Sequence, residues 1–237
     1  MDELYLDYKV DIVFCIDCTE SMDNILNIIR QRALSFYSDL IDRMQLKQKT
    51  VDRLRVRVVA FRDYAAYADE CRKGHRGNEP MLVTDFFSLP NESEKLKLAV
   101  QSLHPVGGGD IPEDGLEALA YAIRSDWDLD SSAKHRHVIV LWTDAIPHEL
   151  GYGAASHKYP KGMAQNISEL TMWWGNPMNH GYCDQEAKRL VLFAPNDGEW
   201  SFVSEQWDQV IHYPSKAGDG LNELDYETIL SCISQSI

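Results

Sequence analysis

Val10-Asp11-Ile12-Val13-Phe14-Cys15-Ile16-Asp17, running on into Cys18-Thr19-Glu20-Ser21, is the stretch that decides the fold. A strand with one wet face alternates apolar and polar residues. This run is apolar at every position from Val10 to Ile16 except Asp11, as a parallel strand buried on both faces reads. Beyond the polar loop, Ile25, Leu26, Ile28, Ile29, Ala33, Phe36, Tyr37, Leu40, Ile41 and Met44 keep helical spacing. The pattern predicts one long helix from Met22 to about Leu46, with Ser21 placed to cap its start. Strand, short loop and helix in that order form the first half of a right-handed β-α-β crossover.

The same alternation continues outward. Leu54 to Phe61 predicts a strand with one end near solvent, and Leu82 to Leu89 a weaker one, with Tyr64 to Pro80 between them as loop. Glu92 to Leu103 predicts a short amphipathic helix. A glycine loop, Val106 to Glu113, then leads into a helix that starts at Pro112 and runs to about Ser125. His137 to Asp144 is a second buried strand ending in aspartate. Arg189 to Ala194 and Gln209 to Tyr213 are further strands, and Glu223 to Ile237 closes the chain as a helix. The expected fold class is α/β: a doubly wound, mostly parallel sheet with helices on both faces, formed by residues 1–237 as a single domain without repeats or linkers. An insertion spanning about 145–188 follows the fourth main strand, far longer than an ordinary connection. It is rich in aromatic residues and predicts a helix from about Met163 to Trp174. It is expected to form either a lid or docking rim over the sheet edge or a small core of its own. Trp173 and Trp174 point about 100° apart on a helix, so one of them is expected to be exposed.

Composition narrows the function. The chain has 237 residues, 44% of them hydrophobic and 25% charged, which fits a globular protein and excludes disordered or collagenous classes. A net charge of −14 argues against general nucleic-acid binding. No apolar run reaches the roughly 18 residues of a membrane span, and the start lacks a basic-then-apolar leader, so a cytoplasmic protein is the expectation. Five scattered cysteines do not suggest a disulfide framework. Cys15 and Cys18 have the spacing of a redox dithiol, but Cys15 lies inside the apolar run and no second pair completes a zinc site. Basic residues gather between Arg30 and Arg57, and acidic ones from Asp197 onward, an asymmetry able to orient a partner.

Asp17, Thr19 and Ser21 place a carboxylate and two hydroxyls at alternate positions just after a buried strand. Short oxygen donors at that spacing suit a hard divalent cation, which wants about six oxygens. Asp144 ends another central strand and can face the same crevice, and Asp110, in a glycine loop, can add a further oxygen. An all-oxygen set predicts Mg²⁺ or Mn²⁺ and no zinc. His148 is expected to hold a structural or polar-surface position.

Asp17-x-Thr19-x-Ser21, then Gly108-Gly109-Asp110-x-Pro112-Glu113, then Thr143-Asp144 resembles the von Willebrand factor type A (VWA) domain and its metal-ion-dependent adhesion site. Phe61-Arg62-Asp63-Tyr64 and Thr143-Asp144-Ala145-x-Pro147-His148 resemble the intracellular, bacterial members in particular. The resemblance implies one Mg²⁺ at the sheet's upper edge, with Thr19 and Ser21 ligating through hydroxyls and Asp17 and Asp144 directly or through water. It also implies a protein partner within a larger intracellular system, met through the metal crevice and the insertion. The family usually has serine where Thr19 stands and commonly threonine where Asp110 stands. Three carboxylates around a dication leave the site near −1. The rival expectation is a Mg²⁺-dependent phosphohydrolase with Asp17 as nucleophile, although Thr19 stands where that chemistry keeps its second acid.

Overall fold

The computed structural model describes residues 7–75, 78–107 and 112–237. β1 (Tyr8–Asp17) passes through a short 3-10 turn (Glu20–Met22) into two helices, α1 (Asp23–Arg32) and α2 (Phe36–Leu46). β2 (Arg53–Phe61) is followed by α3 (Tyr64–Arg72), the short β3 (Met81–Val83) and β4 (Phe87–Leu89), and α4 (Ser93–Gln101). After α5 (Gly115–Ile123) come β5 (Lys134–Trp142), α6 (Ile167–Trp174), β6 (Lys188–Pro195), α7 (Gly198–Gln206), β7 (Val210–Ser215) and α8 (Tyr226–Ser236). The sheet runs β3-β2-β1-β5-β6-β7, with β4 also on β2. β2, β1, β5, β6 and β7 are mutually parallel, and β3 and β4 are antiparallel to β2.

β1 is central because both of its faces are apolar. Ile12, Phe14 and Ile16 enter one core with side chains of α1, α2, α4 and α8, and Val13 and Cys15 enter the other with α5, α6 and α7. Asp11, the exception in the run, sits at the lower edge and is 1% exposed. It accepts two hydrogen bonds from Arg55, at 2.8 and 2.6 Å, and one from the Asp128 amide at 2.8 Å, so its charge is buried but matched.

Three expectations are corrected. The single long helix is two. Ser35 Oγ donates to Arg32 O and Ser38 Oγ to Ser35 O, and such side-chain competition for backbone carbonyls bends or interrupts a helix. Tyr64 to Arg72 is helix rather than loop, started by Asp63, whose side chain accepts from the Ala65 and Ala66 amides. The stretch Leu82 to Leu89 divides into β3 and β4, so the insertion follows the fifth strand. An element the sequence reading did not show is α7, which buries only Trp200 and Val203 and so leaves no clear period.

The insertion has no separate core. Leu170 and Trp174 lie in the same apolar cluster as strand residues Ile139 and Leu190. Trp174 is 1% exposed, its ring stacks on Trp207, and its indole donates to Asp208 O at 3.0 Å. Lys188, fully buried at the start of β6, donates to Trp174 O and Gly175 O, each at 2.9 Å, and pairs with Asp208 at 3.1 Å. Trp173 is half-buried between Tyr182 and Arg124, so neither tryptophan is the exposed one expected. The basic and acidic segments meet within the molecule: α2 packs on α8, Arg43 pairs with Glu227, and Tyr226 donates to Asp39.

Two outcomes follow from this packing. Trp174→Ala should lower unfolding free energy in urea by roughly 3–5 kcal/mol, with Trp173→Ala losing clearly less; equal losses would contradict the anchoring role of Trp174. His137, stacked on Trp127 and 1% exposed, has its pKa pushed down to about 4 by burial. Between about pH 4 and the free value near 6.5, the unfolded chain carries a proton that the folded chain does not, so stability falls as pH falls through that window. The difference in melting temperature between wild type and His137→Gln should shrink over that interval, and a constant difference would refute it.

Candidate functional site

β1 and β5 are neighbours, yet the chain leaves β1 toward β2 on one side and β5 toward β6 on the other. This reversal opens a crevice at the carboxyl ends of the two strands, where open α/β sheets bind ligands. Asp17 ends β1 and Thr143-Asp144 follows β5, so strand order alone brings two carboxylates to the crevice.

Asp17 is fully buried. Its Oδ1 accepts from the Thr19 amide at 2.9 Å and the Thr19 hydroxyl at 2.6 Å, and its Oδ2 from the Thr143 hydroxyl at 2.7 Å. Burial nonetheless pushes its pKa up to about 6, with the Asp144 charge adding to the rise against these hydrogen bonds. Asp144 Oδ1 accepts from Ser21 Oγ at 2.9 Å, and its Oδ2 from the Gly220 amide at 2.7 Å. Ser21 therefore does not cap a helix; its hydroxyl is committed to Asp144. The Thr19 and Ser21 oxygens stand 3.5 Å apart. Each hydroxyl has one hydrogen, Thr19 giving its own to Asp17 and Ser21 to Asp144, which leaves two pairs of lone pairs side by side between two carboxylates. The donor set is oxygen only and fits a hard divalent cation.

Four of the five expected ligands, Asp17, Thr19, Ser21 and Asp144, are thus brought together. Asp110 lies outside the described residues. The backbone leading to it approaches the crevice, with Glu20 N donating to Gly107 O at 3.1 Å and Val106 N to Cys18 O at 3.1 Å. Sequence reasoning missed Gly220. It has φ +63°, and a Cβ there would overlap the Ser21 carbonyl. The signal available was Gly218-x-Gly220 after the last strand, a loop whose amides can reach a neighbouring strand end. The supporting role of the Thr143 hydroxyl was likewise visible only as part of the Thr-Asp pair.

Cys15 and Cys18 do not form a dithiol site. Both are buried, on opposite faces of the sheet, and burial pushes the Cys18 thiol up to about 12 and that of Cys15 higher still. His148 is buried rather than on the polar surface, with Nε2 3.4 Å from Asp63 Oδ2.

No protein-family model matches the chain, and no curated protein matches it. Among solved structures it is similar to the pilus adhesin SpaC from Lactobacillus rhamnosus GG, with TM-score 0.52 and 12% identity over 96% of this chain and 30% of the adhesin. The open conformation of the same adhesin gives TM-score 0.50 and 13% identity over the same shares. The von Willebrand factor domain of a type V pilus tip protein from Porphyromonas gingivalis gives TM-score 0.35 and 20% identity over 61% of this chain and 40% of that one. The likeness to the adhesin is one of fold, and the chain spans about 30% of that protein's length.

The two glycines of the last loop should respond differently to alanine. Gly218 also has a positive φ but open space around it, so Gly218→Ala should lose only the backbone term, about 1–2 kcal/mol. Gly220→Ala must in addition push Ser21 away and should lose measurably more in urea denaturation. Equal losses would show that Gly220 does not wedge against the Ser21 backbone.

Proposed function

We propose that the chain is a VWA-type protein-interaction module that holds one Mg²⁺, or Mn²⁺, at the crevice of Asp17, Thr19, Ser21 and Asp144, with Asp110 as the further ligand. The observation that carries this reading is the pair of hydroxyl oxygens 3.5 Å apart whose hydrogens are both taken by carboxylates, which leaves lone pairs on each for a ligand role. Thr19 and Ser21 would ligate directly, and Asp17 and Asp144 directly or through water. A bound cation supplies a positive centre with a coordination position that a partner's oxygen can fill. Three carboxylates keep that centre weakly attractive to an acidic partner and hold the metal itself more firmly.

The partner is a protein of a larger intracellular, bacterial system. The cytoplasmic assignment is supported by five free cysteines. The phosphohydrolase reading finds less support. Asp17 is fully buried, and Thr19 stands where that chemistry keeps its second acid.

Calorimetry on protein stripped with chelator should show one Mg²⁺ site that Ser21→Ala weakens and Asp144→Ala removes, with the fold of each variant checked by circular dichroism. Melting temperature should rise with Mg²⁺ in wild type, because a ligand that binds only the folded state stabilises it. A flat thermal response, or Mg²⁺ binding unchanged in Asp144→Ala, would overturn the site. Mg²⁺-dependent turnover of p-nitrophenyl phosphate abolished by Asp17→Asn would favour the phosphohydrolase instead.

A further inference from the structure

A second constellation lies beside the first crevice and shares no residue with it. Asp63 follows β2, Asp114 immediately precedes α5, and His148 lies four residues beyond Asp144. Each is buried, and each offers a ligand atom within 4.8 Å of the other two. We infer that Asp63, Asp114 and His148 form a separate, nitrogen-containing binding site for a transition-metal dication such as Mn²⁺ or Zn²⁺.

Each ligand is also held by backbone groups. Asp63 Oδ1 is occupied by the Ala65 and Ala66 amides at the start of α3, which turns Oδ2 toward the imidazole. Asp114 Oδ2 accepts from the Tyr64 amide at 2.6 Å. The His148 amide donates to Glu113 O at 2.9 Å, and the ring stacks on Tyr152 at 3.9 Å and 10°. Such outer contacts fix the orientation of metal ligands.

An independent observation comes from Glu117, one helical turn beyond Asp114. This glutamate is fully buried, and its Oε1 accepts from the Gly151 amide at 3.1 Å and the Tyr159 hydroxyl at 2.9 Å. Its Oε2 is buried without a hydrogen-bond partner, and burial pushes the Glu117 pKa up while the His148 charge pulls it back down. Asp63 meets the same imidazole, its Oδ2 3.4 Å from Nε2. Buried carboxylates persist when they are paired or coordinate a metal, and a dication held by Asp63, Asp114 and His148 would favour the charged form of Glu117 as well. A single imidazole among carboxylates suits Mn²⁺ or Zn²⁺ better than Mg²⁺, which prefers an all-oxygen shell and keeps its waters.

The nitrogen ligand makes the site separable from the all-oxygen crevice. Chelator-stripped protein loaded with Mn²⁺ should show electron spin-echo modulation from a directly bonded imidazole nitrogen. That signal should persist in Asp144→Ala, vanish in His148→Ala, and be displaced by Zn²⁺ in the presence of excess Mg²⁺. Asp63→Asn keeps the cap of α3 and should weaken the nitrogen-bearing Mn²⁺ site about tenfold or more, which carries the test if His148→Ala fails to fold. Wild type without nitrogen modulation at saturating Mn²⁺, modulation that survives His148→Ala, or unchanged affinity in Asp63→Asn would each overturn the inference. None of these outcomes depends on whether the Asp144 crevice binds Mg²⁺.

Discussion

A fully buried carboxylate at the carboxyl end of the most enclosed strand is the constraint on which the upper edge of this molecule depends. Asp17 cannot be left there without partners, since an unpaired charge out of water is heavily penalised. Thr19 and Thr143 supply three hydrogen bonds to it. The turn that brings Thr19 back to Asp17 also brings Ser21 across to Asp144, and Asp144 in turn draws the last loop in through the Gly220 amide. One solvation problem at the tip of β1 therefore ties together β1, β5 and the loop after β7, segments up to about 200 residues apart in the chain.

Much of this was legible in the sequence because burial on both faces leaves a strong trace. β1 and β5 are near-continuous apolar runs, and they place Asp17 and Asp144 at adjacent strand ends. Thr19 and Ser21 were legible by alternation. The elements that were not legible bury little or rely on distant partners. α3 is recognised from Asp63 acting as its cap, a role that only the structure displays. α7 has just two buried side chains to set a period. The break between α1 and α2 comes from serine hydroxyls that sit quietly within an apolar helical spacing. The pairing of His148 with Asp63 joins positions 85 apart, and nothing local in either segment announces it.

Charge patterning carried a different lesson. The basic stretch around α2 and the acidic stretch around α8 looked available to a partner, but the fold lays the two helices together and satisfies part of each with the other. Residue order along a chain reports charge per segment, whereas recognition depends on the charge left over after packing. At the lower edge the same holds for Asp11, which looks misplaced in its strand and is fully accounted for once Arg55 is beside it.

The buried Lys188 has a consequence for how freely this architecture could have been altered. Its ammonium sits at the root of β6, in the shared core, but two of its partners are carbonyls at the end of α6, inside the insertion. A shorter chain joining Asp144 directly to β6 would leave that buried ammonium with Asp208 as its one remaining partner among those described, so excising the segment would put position 188 under pressure to change at the same time. The insertion is grafted at a point where the scaffold has itself become adapted to the graft. It is not an interchangeable cassette, and swapping it onto a similar sheet that lacks the lysine would transfer the shape without its fastening.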